Sequence, residues 1–369
     1  MNCVINRVKS SLEKIQAFYR KYEKFSAPAV FVLGFAWDAL TLRRIDNLFD
    51  NLCLLGYLVL IGAVIILNLR LQEGARLPGQ LRRVAPRFPW VMQFCFGGLF
   101  SSYVVFYFKS VSFTRSAFFF LILVGLLIGN EFLEDRLQNR TLLAALYSFC
   151  CFSFLAFFLP VVLRVIHPWV FVLAGVLGAA FSLAVFLLGL YTKDFDRKKV
   201  ARQVGAPIAG VFLLLNVLYF ADLIPPVPLA LKTGHPYHAV VKTREGFEVK
   251  YVAPSFIHFW RAWDDPFYWT PGENVYCFTA IFAPEGVRVP LLHVWSRKTD
   301  SGWLTTDRMP FIINGGRDGG YRWYSRKKGV RPGLWRVEVQ TATGQILGEV
   351  DFTIKEAAAP RPLQTELIP

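Results

Sequence analysis

Apolar residues dominate seven stretches of the first 224 positions, at about 27–42, 52–69, 88–108, 116–133, 142–165, 168–190 and 204–223. Several approach the ~20 residues that a helix needs to cross a bilayer, so these stretches predict membrane spans. Two are weak. The first is short and contains Asp38, and the fourth has an apolar centre running only from Ala117 to Ile128. Should either be re-entrant, the parity of crossings changes and the C-terminal part moves to the other side. Ahead of them, Ile5, Val8, Leu12, Ile15, Tyr19 and Tyr22 recur at spacings of three and four among Lys and Arg. That spacing predicts an amphipathic helix over 1–26, lying on a cytoplasmic membrane surface or packed on the body of the protein.

The pattern changes once, at Pro225-Pro226-Val227-Pro228. Beyond it, short alternating runs are separated by Gly and Pro. Strands are predicted at His238–Thr243, Glu248–Val252, Val275–Phe282, Leu291–Arg297, Gly302–Thr306, Tyr321–Arg326, Leu334–Thr341 and Ile346–Ile354. Seven or eight short strands in this span suggest an immunoglobulin-like sandwich. The expected organisation is an amphipathic helix (1–26), a transmembrane bundle of about seven spans (27–224), a Pro-rich linker (225–236), a β-sandwich (237–355) and a disordered tail (356–369).

Composition agrees with this division. The mean hydropathy is +0.39, and 54% of residues are hydrophobic, 35 of them Phe. The formal charge is +15, but most of the excess lies between the spans. On alternate sides the loops carry eighteen Lys and Arg against five. That asymmetry predicts a cytoplasmic N-terminus and an outward C-terminal domain, periplasmic in a Gram-negative cell. It also removes the reason to invoke nucleic acid. The charged 26-residue lead-in argues for a retained first helix rather than a cleaved signal peptide. Only Cys277 lies in the polar half, so no disulfide framework is expected there.

The run Val275-Tyr276-Cys277-Phe278-Thr279-Ala280-Ile281-Phe282-Ala283-Pro284-Glu285-Gly286, with His293-Val294-Trp295-Ser296-Arg297-Lys298, is distinctive. Together with Tyr324-Ser325-Arg326-Lys327, Gly333–Val339 and Gly344–Phe352, it resembles the bacterial domain-of-unknown-function family numbered 2914 over about 275–354. The segment Gly34–Asp46 is similar to the hydrophobic region often attached to that family. The resemblance implies a bacterial envelope protein and brings no activity or catalytic residues with it.

Three groups of residues carry candidate chemistry. Asp38, Thr41, Arg43, Arg44, Asp46 and Asp50 make a polar cluster in the membrane half, either an ion, proton or headgroup site or a salt-bridged corner between two spans. Trp260, Trp263, Asp264, Asp265 and Trp269 form the densest aromatic–acidic stretch. Their Trp faces and carboxylates suit a sugar ring, though the same side chains suit a core or membrane docking. Neighbouring Asp264 and Asp265 are not the spaced pair that a glycosidase needs. Finally, His293 and Trp295 with Arg322, Tyr324 and Arg326 are a candidate binding face on two strands. His235, His238, His258 and His293 lack a second-shell or cysteine pattern, so neither a metal nor another cofactor is expected. The glycine-rich 314–320 run is read as a mobile loop, because no helix follows it.

No HExxH, GxSxG, Walker A or CxxC pattern occurs. The sequence therefore predicts a polytopic inner-membrane protein whose outward β-domain binds a glycan, lipid headgroup or protein partner, without catalysis of its own. The alternative is a membrane-embedded enzyme or transporter using the Asp38–Asp50 cluster.

Overall fold

The computed structural model describes residues 36, 38, 47–74, 78–110, 117–130, 136–190, 196–224, 226, 228–252, 263–317, 319–359 and 361–369. The chain divides into two units, Met1–Arg43 and Arg44–Pro369. In the first, only Ala36 and Asp38 are described, both helical. The amphipathic 1–26 helix and nearly all of the first span therefore lie outside the described residues.

The second unit opens with α1 (Leu48–Gln72), capped by the Asn47 side chain. It continues through α2 (Phe88–Ser110), α3 (Ala117–Gly129), α4 (Arg140–Leu163), α5 (Pro168–Leu190) and α6 (Ala206–Phe220). Short helical turns lead into α2 and α6, and the one before α6 is a π turn at Ala201–Gly205. With those turns, five helices among the described residues are long and apolar enough to cross a membrane: α1, α2, α4, α5 and α6. The 13-residue α3 is shorter than a bilayer-crossing helix. It returns alongside α2, because Phe119 packs on Tyr107 while the Asn130 and Gln93 amides exchange bonds with each other's carbonyls. Asn130 is buried in this clamp.

Glycines let the helices approach closely. A Cβ on Gly178 of α5 would lie 2.9 Å from the Phe152 backbone nitrogen of α4 and 3.0 Å from its Cα. Backbone cannot yield as a side chain can, so Gly178→Leu forces α4 and α5 apart at a cost of about 1–3 kcal/mol. A lowered thermal midpoint of the purified chain in detergent checks this.

Polar contacts fix which helix ends share a side. Arg140 at the start of α4 pairs with Glu73 after α1 at 2.7 Å. Arg70 near the end of α1 donates to the Leu188 carbonyl near the end of α5. The C-terminal ends of α1 and α5 and the start of α4 therefore lie at one end of the bundle. At the other end the bundle meets the β-domain. Tyr219 of α6 donates to the Gln345 side chain at 3.0 Å and stacks on Phe171. Ile166, after α4, packs into the β core.

The β-domain holds eleven strands in three sheets among the described residues. They are β1 (Ala230–Tyr237), β2 (Ala239–Lys242), β3 (Phe247–Val252), β4 (Phe267–Trp269), β5 (Val275–Phe282) and β6 (Arg288–Thr299). Then come β7 (Gly302–Asn314), β8 (Tyr321–Lys327), β9 (Gly333–Thr341), β10 (Ile346–Glu356) and β11 (Leu363–Ile368). The sheets run β4-β10-β9-β6-β7, β1-β5-β8 and β11-β3-β2. Two core clusters fill the space between the first two sheets, and a third joins the middle sheet to the last. The middle sheet is thus covered on both faces, which is why almost all of β5 is buried.

Three expectations change. Strand β1 begins at Ala230, inside the expected linker, because Leu229 is fully buried and Ala230 pairs with Phe282. The expected disordered tail forms β11, whose backbone pairs with β3 from Leu363 to Ile368. The glycine-rich loop is tied down, with Gly315 N–H donating to the Val287 carbonyl and Gly316 N–H to that of Ala283. Pro310 interrupts none of this, since β7 is an edge strand and needs no donor on its open side.

Candidate functional site

His238 lies between the last residue of β1 and the first of β2, where the chain passes from the middle sheet to the outer one. Its backbone N–H donates to the Lys250 carbonyl, and its ring stacks on Phe267 at 4.2 Å. The imidazole is buried and held between two carboxylates. Nε2 lies 2.7 Å from Asp264, and Nδ1 meets Glu273 on the other side. Burial alone would lower the pKa of His238, but Asp264 and Glu273 outweigh it and raise the value above its ordinary 6.5.

Both carboxylates are themselves anchored. Asp264 accepts the Val252 N–H at 2.9 Å. Glu273 accepts the N–H and hydroxyl of Thr270, and its backbone carbonyl takes the Trp269 indole N–H. Asp264 precedes β4 and Glu273 follows it, so this clamp ties the edge of the five-stranded sheet to the other two. The Thr270-Pro271-Gly272-Glu273 spacing is the Thr-x-x-Glu pattern of a side chain reaching back to a backbone donor. It was the available signal for Glu273, which the sequence reading did not single out.

Beside the clamp is a cavity of about 240 Å³ lined by Gly234, His235, Pro236, Trp263, Asp264, Asp265 and the Glu349–Phe352 stretch of β10. Trp263 stacks on His235 with centroids 3.9 Å apart. Burial pushes the His235 imidazole down to about 4, so it is neutral at physiological pH. On the β10 side, Arg336 of β9 makes a two-pronged bond to Asp351 at 2.7 Å and a 2.7 Å pair with Glu349, whose side chain is buried. The cavity begins where strand pairing stops, since β4 covers only Ile354–Glu356 of the β10 edge. Gly234 permits the close approach of β1, because a Cβ there would run into Val350.

The sequence-predicted groups fare differently. Trp263, Asp264 and Asp265 do come together at the cavity. Trp269 does not; it is buried in the core with Phe267. Trp260 and His258 lie outside the described residues. The face built from His293, Trp295, Arg322, Tyr324 and Arg326 is not one face. His293 and Trp295 are fully buried between two sheets, both bonded to Ser325 Oγ at 2.8 and 2.9 Å. Ser325 alternates with Tyr324 and Arg326, so those side chains lie on the opposite side of β8, where Tyr324 packs toward the outer sheet. His293 and Trp295 do share one face of β6, as their alternation predicts, but that face is interior rather than surface.

The remaining histidines do not converge, as His235 stacks on Trp263, His238 sits in the clamp and His293 is core. Among the described residues no group of His, Cys, Asp or Glu has a metal-holding arrangement. Of the membrane cluster, Thr41, Arg43, Arg44 and Asp46 lie outside the described residues, and Asp38 and Asp50 belong to separate units.

These observations define a class: a chain with a helical N-terminal region of membrane-spanning character, followed by a β-sheet-rich C-terminal domain. Residues 289–354 match the family model described as "Protein of unknown function (DUF2914)", so β6 to β10 carry the family's pattern. No curated protein matches the chain. Among solved structures it is similar to a β-glucosidase from Listeria innocua in complex with glucose, at 13% identity, covering 25% of this chain and 15% of that one, with a TM-score of 0.18. It is also similar to the Pseudomonas fluorescens alkylpurine DNA glycosylase AlkC bound to abasic-site DNA, at 11% identity, covering 85% and 99%, with a TM-score of 0.21. At these TM-scores neither likeness defines a fold or bears on activity.

Proposed function

We propose that the chain is a bacterial inner-membrane protein whose outward β-domain binds an envelope glycan, in an assembly, sensing or scaffold role. The cavity between Trp263 and β10 carries this reading. It sets an indole and a neutral imidazole beside four carboxylate side chains, the pairing of apolar face and hydrogen-bond acceptors that a sugar ring presents in reverse. Its ~240 Å³ is below the ~300–1,000 Å³ of drug-sized sites and suits one ring.

The orientation is supported by charge. The sequence connections at 70–87, 134–140 and 191–203 carry twelve Lys and Arg, as cytoplasmic loops do. Seven crossings require the 13-residue α3 to return the chain beside α2 and a first span to lie within 27–42. An immunoglobulin-like core is supported by strand order. Leaving out the β11-β3-β2 sheet and β4, seven strands remain, the first, second and fifth in one sheet and the seventh, sixth, third and fourth in the other. The third strand carries the fully buried Trp295, where such sandwiches place a core Trp.

Binding is tested on the full chain in nanodiscs, by calorimetry with soluble peptidoglycan fragments and with uncharged oligosaccharides. Trp263→Ala is expected to weaken binding by up to about tenfold, the value of one aromatic contact. No binding by the wild-type protein, or equal binding by Trp263→Ala, would contradict the proposal.

A further inference from the structure

The end of the bundle that meets the β-domain carries a second feature. Helix α4 stops at Leu163, and Arg164 takes a left-handed conformation, φ 55°. This turns the chain toward the β-domain and lays the Arg164 side chain against Gly286, in the turn between β5 and β6. A Cβ on Gly286 would lie 3.1 Å from both Arg164 Cδ and Nε, so the glycine makes room for the arginine.

Two more arginines bracket that turn. Exposed Arg288 opens β6, two residues past Gly286. Exposed Arg317 lies in the loop that the Gly315 and Gly316 N–H groups fasten to the carbonyls of Val287 and Ala283. Arg317 rests over the Tyr321 ring, 5.7 Å from its centroid. Among the described residues, none of the three makes an ion pair with a carboxylate, and Glu285 in the same turn is itself engaged.

The surroundings are apolar and exposed. Val162, Leu163 and Val165 flank Arg164 along the chain, and Trp169 begins the next helix with half of its surface open. Apolar side chains that continue into a row of cations make up the profile of an acyl-chain and headgroup boundary. Arg matches a phosphate with a planar fork of donors, which a lysine point charge does not.

We propose that Arg164, Arg288 and Arg317 hold the phosphate of an anionic phospholipid at the seam between the bundle and the β-domain. The lipid would fix the β-domain against the membrane surface, independently of the ligand in the Trp263 cavity.

The test uses the full chain in nanodiscs of equal phosphatidylglycerol and phosphatidylcholine, released and analysed by native mass spectrometry. Wild-type protein is expected to retain phosphatidylglycerol preferentially. Replacing the three arginines with Ala should lower that preference by about fivefold per arginine, from the roughly 1 kcal/mol each contributes near an anionic surface. Arg82→Ala with Arg83→Ala, exposed at the other end of the bundle, should lower it by clearly less per arginine, since no seam with the β-domain converges on them. A triple Gln variant is run beside the Ala variant, with thermal midpoints in pure phosphatidylcholine discs to identify any variant that misfolds. Undiminished preference in a folded triple variant, or equal loss in the Arg82/Arg83 variant, overturns the proposal. So does a rise in the wild-type midpoint with inorganic phosphate that matches the rise with phosphatidylglycerol, since the site would then be one for free phosphate.

Discussion

Replacing His238 with alanine is expected to destabilise the β-domain by about 3–5 kcal/mol, because it strands two anchored carboxylates without their cation. The Asp264 side chain is only 3% exposed and its position is set by the Val252 N–H, so it cannot turn to water without breaking that bond. Glu273 is 23% exposed and relaxes more easily, which places the effect toward the lower part of the range. Near-UV circular dichroism during thermal unfolding of the full chain measures the loss.

The same variant has a pH signature. In the folded state His238 holds its proton above the ordinary value of 6.5. Its stabilising contribution is therefore complete below pH 6.5 and drains away as pH rises through the raised value. His235 and His293 act in the opposite direction. Burial lowers them to about 4 and about 3, so their contribution is lost as pH falls from 6.5 toward those values. The histidines together place a stability maximum near pH 6.5. His238→Ala should flatten the alkaline side of that curve and leave the acid side in place. An unchanged alkaline slope would show that the clamp does not hold a charged imidazole.

Trp295→Ala is expected to cost a further large amount, about 3–5 kcal/mol, in the range for removing a buried large aromatic. Trp295 is fully buried and packs edge-on against Trp335 at 6.3 Å and Phe352 at 6.1 Å. Its indole N–H donates to Ser325 Oγ, which also meets His293 Nδ1. Alanine would open a cavity between the two large sheets and remove one partner of that hydroxyl. Trp295→Phe keeps most of the volume and loses the hydrogen bond, so about 1 kcal/mol of the loss should remain. Urea unfolding of both variants separates the packing and polar parts.

Much of this architecture was legible in the sequence because membrane helices and half-buried strands are read from single-residue polarity. Val275–Phe282 was predicted at the bounds where β5 is found. The strands missed were those whose composition argues against them. Strand β1 contains Gly234 and Pro236, β4 is three residues long, and β11 follows a Pro- and Ala-rich stretch. Each forms because tertiary partners are waiting for its backbone, which no local pattern reports. The site divides in the same way. Trp263, Asp264 and Asp265 are adjacent in the chain and were found together. Glu349 and Asp351 are far from them in sequence and reach the site only through β10, while Glu273, eight residues past Asp265, is brought back to it by the turn after β4. Alternation on a strand shows which residues share a face, but not whether that face is inside. His293 and Trp295 show the difference.

Thiol labelling in intact cells tests most directly whether the β-domain and the basic loops lie on opposite sides of the membrane. Cysteines are introduced singly at Ser301, in the turn between β6 and β7, and at Arg83, in the basic connection after α1. A membrane-impermeant maleimide is expected to label Ser301→Cys once the outer envelope is opened, and Arg83→Cys only after the inner membrane is broken. Labelling of Arg83→Cys before Ser301→Cys would place the β-domain in the cytoplasm and contradict the outward orientation.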